Sequence, residues 1–545
     1  MACAAWKAKG YDTRKYIMEK CFNARFPIQV LSEITQPMDS HPLPRGKACL
    51  PCRYRRIKCD GVKPTCSRCK EKGRLCQYSE EKSGQELQQE VVALESRVRE
   101  AELRKHIVAP TLGNAIDFNG IPSDWWMMDE PPVPMWPHLV EIFFHFAESC
   151  GFFLDPERFA QSFYARGPFG HSSRPSRALL SAVYLTSIAF SRNATLMSHE
   201  PIFLSRALYY ASQAPSYPHP SNAKHGLQAE ILIANYFFWR GHIQEGKSHI
   251  NTAMLISLVH RAHKISRIPN PARAEIIDQL ERVKGFWSAY LLDKAWSVAG
   301  GLPSSSPDGL TEESRIDAPW PLELQQFKNV HPEQEVQGYD TINRFLANPS
   351  SSFAEEDVSK FSMACKAVTL LDRAHSLGLS WAAARDDETR ADLTAKVIKM
   401  RHATQTFKDT IAPLPVGANI QDALVIIHAM AILASIRLDT SPTWSEHSVE
   451  SALAAVALVD STSFKYIGHA NPILGFLLTA IGQVLVDELA RIHGLVRKTK
   501  DDIEQEAMMK NAADRLAVAL RACGAESPYV SDQHLKFAAQ VRWLS

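Results

Sequence analysis

The sequence predicts a small cysteine-built metal domain, then a short coiled-coil helix, then a large all-α domain. Three observations predict it. Six of the eleven cysteines fall between Cys49 and Cys76, in the spacing C-x2-C-x6-C-x6-C-x2-C-x6-C. Leu87, Val91, Leu94 and Val98 recur at alternating intervals of four and three, the period of a coiled-coil seam. From Trp136 onward apolar residues recur at helical spacing, with no sustained alternation of the kind a half-buried strand shows.

The chain of 545 residues is long enough for several domains and a large core. Its 45% apolar and 22% charged residues are ordinary for a globular protein. Net charge is only +2, but residues 45–76 carry eleven Lys and Arg against Asp60 and Glu71. A local basic patch on a mildly acidic remainder points to a polyanion as partner. Cys3, Cys21, Cys150, Cys365 and Cys523 are scattered and odd in number, which argues against a disulfide framework and for a reducing compartment. Residues 1–37 contain no apolar signal core. Met38-Asp39-Ser40 leads into Pro-rich basic sequence, so Met38 is a candidate start and residues 1–44 are expected to be disordered. The longest apolar run, Pro472 to Val486, stops at Asp487-Glu488. It is too short to span a bilayer and reads as a core helix.

The first domain is expected over residues 45–80. Thiolate sulfur suits zinc, which prefers tetrahedral sites of Cys and His. Four of Cys49, Cys52, Cys59, Cys66, Cys69 and Cys76 would satisfy one zinc and leave two over, unless two metals share ligands. With Cys49 and Cys66 bridging, each of two zincs receives four sulfurs. A four-cysteine ribbon is the simpler alternative, but it accounts for neither Cys59 nor Cys76. A redox C-x2-C would need a βαβ setting, which is absent. Such a domain has almost no apolar residues to bury, so metal binding would supply its folding energy.

The two copies of the unit differ in charge. Arg53, Tyr54, Arg55, Arg56, Ile57 and Lys58 follow Cys52, with four cations and no acid. Lys70, Glu71, Lys72, Gly73, Arg74 and Leu75 follow Cys69, with an acid and a helix-weakening glycine. The first copy is therefore the better reader of DNA, because arginine pairs with guanine O6 and N7 through two hydrogen bonds.

Residues 49–76 closely resemble the fungal zinc binuclear cluster (Zn2Cys6) transcription factors. The resemblance includes Arg53, the run Arg55-Arg56-Ile57-Lys58-Cys59-Asp60, and Pro64 in the connecting loop. It implies two zinc ions bridged by the first and fourth cysteines. It also implies a short helix after each C-x2-C pair, the first entering the major groove at a CGG triplet. By that pattern Arg55 and Arg56 lie nearest the bases, while Arg53 and Lys58 complete the DNA-binding set, Lys58 towards phosphate.

Residues 81–108 read as a linker and short coiled coil whose seam is Leu87, Val91, Leu94 and Val98. An isolated helix of this length is marginal in water, so a partner helix is expected. The family resemblance implies a homodimer that reads two half-sites. Pro110 ends the helix, and residues 109–135 form a tether whose Trp125-Trp126 patch docks onto the following domain.

Residues 136–545 are expected to be all-α. Pro137 suits a first helical turn, and Asp155-Pro156 reads as a cap followed by a first-position proline. Further helices are expected over about 176–191, 200–213, 225–239, 244–263, 272–299, 355–378, 388–411, 420–438, 448–460, 472–494, 503–522 and 532–543. Trp136 to Phe159, Trp287 to Asp293, Gly301-Leu302-Pro303 and Ile316 to Pro321 resemble the middle homology domain of the same family. Lys294 departs from its usual arginine, and Leu302 interrupts its usual Gly-Arg-Pro.

Catalytic signatures are absent: there is no H-E-x-x-H, G-x-S-x-G or phosphate-binding glycine loop. The leading reading is a nuclear, non-enzymatic regulator of RNA polymerase II transcription, with double-stranded DNA, the transcription machinery and a second copy as partners and no membrane. It would control a metabolic or secondary-metabolite gene set. The alternative is a receptor whose helical body binds a metabolite or protein effector, with DNA binding serving only to localise it.

Overall fold

The computed structural model describes residues 48–76, 120–214, 219, 221–264, 273–307, 311, 314–321, 340–349, 359–415, 417–420, 422–440, 445–464, 471–525 and 527–543. The chain divides into two compact units, Met1–His106 and Ile107–Ser545. The seam residues Leu87, Val91, Leu94 and Val98 lie outside the described residues, as do residues 1–37 and Glu355 to Asp357.

In the first unit two five-residue helices are described, α1 (Leu50–Tyr54) and α2 (Ser67–Glu71), packed against each other. The second unit is helical, with no strand among the described residues beyond an isolated bridge between Asn419 and Ser463.

The N-terminal half of this body contains α3 (Trp136–Phe146), α4 (Pro156–Phe163), α5 (Arg177–Ala189), α6 (Ala194–Met197), α7 (Glu200–Gln213), α8 (Asn222–Arg240) and α9 (Ile243–Val259). The long α10 (Arg273–Gly300) follows. The C-terminal half contains α11 (Thr341–Ala347), α12 (Lys360–Ala383), α13 (Asp387–Thr410), α14 (Ala423–Arg437), α15 (Glu446–Asp460), α16 (Ile473–His493), α17 (Lys500–Gly524) and α18 (Pro528–Trp543). Helix α10 joins the halves, packing on α8 and α9 on one side and on α12 and α16 on the other. Helix α18 returns to α8 and closes the body.

Aromatic residues fill the junction. Phe238 of α8 stacks on Trp296 of α10 with ring centroids 4.1 Å apart, and Trp287 stacks on Trp320 at 4.5 Å. Such contacts add to the burial of large apolar surfaces. Asp293 of α10 is wholly buried yet satisfied: it pairs with Lys247 and accepts from Ser304, Ser305 and Ser306. One carboxylate thereby pins the loop that follows α10. Lys294 pairs with Asp372 at 3.0 Å.

Residues 120–135 lie on the body as a strap. Trp125 is buried beside Phe203, and Trp126 stacks on His199 at 4.1 Å. Glu130 accepts both Arg174 nitrogens, at 2.6 and 2.8 Å, and the Tyr184 hydroxyl at 2.6 Å. Arg174 is itself buried, with its guanidinium 4.4 Å from the Trp136 ring.

Several element boundaries differ from expectation. The helix expected over 355–378 is α12, which begins at Lys360 behind the Ser359 cap and continues through Gly378 to Ala383. Gly378 is not a stop; a Cβ there would lie 2.4 Å from the Arg437 carbonyl oxygen, so the glycine lets α12 and α14 approach. Helices α6 and α11 were not expected, being too short to show a period. Asn193 begins α6 by accepting from the Thr195 and Leu196 amides. Helix α16 has the length and composition to cross a membrane, and 67% of its most apolar window is buried within the body.

Candidate metal centre and nucleic-acid interface

The thiols converge because each C-x2-C pair straddles a helix start. Cys49 precedes α1 in extended conformation, and its carbonyl accepts from the Arg53 amide at 2.9 Å. Pro51 suits this first turn, where its missing N–H has no helical partner to lose. Cys66 precedes α2, its sulfur accepting from the Cys69 amide at 3.4 Å. The helices therefore contain the second cysteine of each pair. They do not follow the pair, as the resemblance implied. One turn of helix carries Cys52 and Cys69 back beside Cys49 and Cys66.

The sulfur of Cys49 lies 3.6 Å from Cys66, 3.7 Å from Cys69 and 3.8 Å from Cys59. Cys52 lies 3.8 Å from Cys66 and 3.9 Å from Cys69. Two groups of four result: Cys49, Cys52, Cys59 and Cys66, and Cys49, Cys66, Cys69 and Cys76. Within each group all sulfurs lie within 4.8 Å of one another. Four sulfurs about 2.3 Å from a tetrahedral zinc stand about 3.8 Å apart, so the donor sets fit that ion. Cys49 and Cys66 belong to both groups.

Sulfur is also the core of this module. Cys49, Cys52, Cys66 and Cys69 are buried, while Leu50, Tyr54, Ile57, Val62 and Leu75 are exposed. Burial pushes the Cys49, Cys52 and Cys66 thiols up, Cys66 to about 12. At Cys59 desolvation is outweighed, first by the backbone amides of Cys49 and Gly61, and the thiol falls to about 7. A metal bound here must displace protons from the buried thiols.

Both helices end in the same way. The Arg56 amide donates to the Arg53 carbonyl at 3.1 Å and the Ile57 amide to the Cys52 carbonyl at 3.1 Å. In the second half Gly73 donates to Lys70 at 3.2 Å and Arg74 to Cys69 at 2.9 Å. Each pair of bonds is a Schellman motif, which requires a left-handed residue one past the cap. Gly73 takes that place in α2 at φ 57° and Arg56 takes it in α1 at φ 53°. Gly73 thus lies beyond its helix and terminates it, where the sequence suggested a glycine weakening the helix interior.

The carboxylate of Asp60 connects the halves. It accepts from the Ser67 amide at 3.0 Å, at the start of α2, and from the Val62 amide at 3.4 Å. These bonds hold its pKa below the ordinary carboxylate range, the Ser67 side chain and amide contributing most. Its hydrogen bonds, which sequence reasoning did not supply, reveal this role. Arg53 lies in α1, Arg55 caps it, Arg56 makes the left-handed turn and Lys58 follows; all four are exposed. The structure brings these cations to one short segment beside the thiols.

A doubled thiol centre with a cationic helix end is the architecture of a metal-built nucleic-acid-binding module. Residues 47–85 match the family model of the fungal Zn(2)-Cys(6) binuclear cluster domain. The chain carries this domain, which binds two zinc ions. The sorbicillinoid biosynthetic cluster transcription factor sor3 of Hypocrea jecorina (strain QM6a) is 49% identical over 35 residues. Those residues are 6% of this chain and 5% of that protein, so the shared stretch spans about a twentieth of the relative's length. No solved structure matches the chain.

Proposed function

We propose that the protein is a nuclear, sequence-specific DNA-binding transcription factor acting on RNA polymerase II genes, and that it is not an enzyme. The observation that carries this reading is the pair of four-thiol groups sharing Cys49 and Cys66, with the exposed run Arg53 to Lys58 between Cys52 and Cys59. In this reading the six cysteines hold both zincs, with Cys49 and Cys66 bridging. Zinc when bound supplies the folding free energy of a module without a hydrocarbon core. Arg55 and Arg56 address guanines of a CGG-type half-site, while Arg53 and Lys58 engage phosphate and fix register.

The reading extends to a homodimer joined through Leu87, Val91, Leu94 and Val98, with the 136–545 body as a middle homology domain receiving regulatory input. The name of the relative from Hypocrea jecorina supports a secondary-metabolite gene set as the target. Selection of bound sequences from random DNA with the zinc-loaded full chain tests the proposal. Enrichment of paired CGG triplets at a fixed spacing supports it. Enrichment of single triplets would remove the dimer, and no enrichment would remove sequence-specific reading.

A further inference from the structure

Helix α1 has a buried side and an exposed side. Cys52 faces the sulfurs and is buried, as is Cys49 ahead of it. At about 100° per residue, Tyr54 lies about 200° round the helix from Cys52, on the side away from the thiols. It is 95% exposed, and among the described residues its ring and hydroxyl have no partner. Leu50, one turn earlier, is exposed on the same side. Arg53 and Arg55 precede and follow Tyr54, lie to either side of it round the helix axis, and are both exposed. No acid occurs in α1. The outer face of α1 is thus an aromatic side chain set between two arginines.

The two halves of the module differ at this place. Tyr54 is the last residue of α1 and Glu71 is the last residue of α2, each two past the second cysteine of its pair. Glu71 is exposed as well. A carboxylate there repels phosphate, so the outer face of α2 opposes DNA, whereas tyrosine adds apolar area without that repulsion. In the major groove the apolar group on offer is the C5-methyl of thymine, which no other base carries. With Arg55 and Arg56 on guanines, Tyr54 stands one residue earlier on the same short segment and meets the neighbouring base pair.

We propose that Tyr54 is a specificity-determining residue whose ring packs on the C5-methyl of a thymine in the base pair adjoining the guanine-bearing triplet. The inference rests on the DNA reading proposed above. It adds a base that the arginines do not report, because they recognise guanine through O6 and N7.

Site selection from random DNA with the zinc-loaded full chain should enrich thymine beside the triplet. Anisotropy titrations then compare the selected duplex with one carrying deoxyuridine at that position, which removes a single methyl group. Wild type should bind the uracil duplex about fourfold more weakly. Tyr54→Ala should bind the thymine duplex about tenfold more weakly and should not distinguish the two duplexes. Its zinc content and Tm should be unchanged, because the side chain is exposed. Tyr54→Phe keeps the ring and should keep the discrimination. No enrichment of thymine, equal binding of both duplexes by wild type, discrimination that survives in Tyr54→Ala, or discrimination lost in Tyr54→Phe would each overturn the inference, with selection of the triplet left intact. If no triplet is enriched at all, the DNA reading fails and the inference falls with it.

Discussion

Arg56 and Gly73 occupy the same place in the two halves of the zinc module, four residues past the second cysteine of each pair, and both hold left-handed backbone, at φ 53° and 57°. Each lets the next amide, of Ile57 or Arg74, close a Schellman motif on the carbonyl of that cysteine, Cys52 or Cys69. Glycine takes this conformation freely, whereas another residue forfeits about 1–2 kcal/mol. The module thus accepts backbone cost in the half whose segment after the cysteine pair carries four cations and no acid, and not in the other.

Arg56→Gly and Arg56→Ala should therefore separate folding from reading. Both lose the guanidinium and should weaken a selected site by about 1–3 kcal/mol, relaxing discrimination at one base pair. Only the glycine variant relieves the backbone, so it should retain zinc against a chelator longer than wild type, while the alanine variant does not. Equal zinc retention by both variants would refute the strain. Chelator competition and DNA titration measure the two effects separately.

Asp60→Ala should loosen α2 without removing a thiol. The Ser67 and Val62 amides lose their shared acceptor, so zinc should leave faster and DNA binding should weaken in proportion to zinc lost. Release followed with a colorimetric chelator gives the answer; wild-type release would show that Asp60 holds nothing.

Glu130→Gln should destabilise the helical body strongly. Arg174 is buried with Glu130 at 2.6 Å, and removing one charge of a buried pair leaves the other uncompensated, a cost of about 3–5 kcal/mol. Thermal unfolding of the full chain should show a large loss of Tm. Glu130→Gln combined with Arg174→Met should recover part of it, because the orphaned charge is then gone.

Gly378→Ala should also destabilise, against helix propensity. Alanine gains about 1 kcal/mol over glycine in a helix interior. Here its Cβ would stand 2.4 Å from the Arg437 carbonyl oxygen, so α12 and α14 must separate. Overpacking of this kind costs about 1–3 kcal/mol, and a fall in Tm is the expected result.

His225 sets a pH dependence whose sign follows from its hydrogen bond. Its Nδ1 accepts from the Ser176 amide at 3.1 Å and so carries no proton. Burial first, then His219 and Lys224, push its pKa down to about 3. The unfolded imidazole titrates near about 6.5, so between that pH and 3 the unfolded chain binds a proton that the folded one refuses. Stability from this group is present above that window and falls as pH falls through it. Thermal unfolding between pH 7 and 4.5 should therefore show a steeper loss of Tm in wild type than in His225→Gln.

The thiol spacing made the two sulfur groups legible, because two metals sharing Cys49 and Cys66 use all six ligands. The helix positions around them were less legible. Cysteine has little propensity to cap a helix, so nothing in composition placed α1 and α2 across the pairs. In the body, Asp155-Pro156 was legible because cap and first-turn proline are local signals, and the Asp155 carboxylate accepts from the Arg158 amide at 2.8 Å. The hub at Asp293 was not legible, since its serine partners lie eleven to thirteen residues away in a loop without periodicity.

The most direct measurement is DNA binding by the full chain, on sequences it selects, before and after removal of zinc. Anisotropy of a labelled CGG-containing duplex should fall to that of free DNA once a chelator has taken two zinc ions per chain, and should recover on adding zinc back. Binding that persists after both ions have left, with sequence preference intact, would contradict the account.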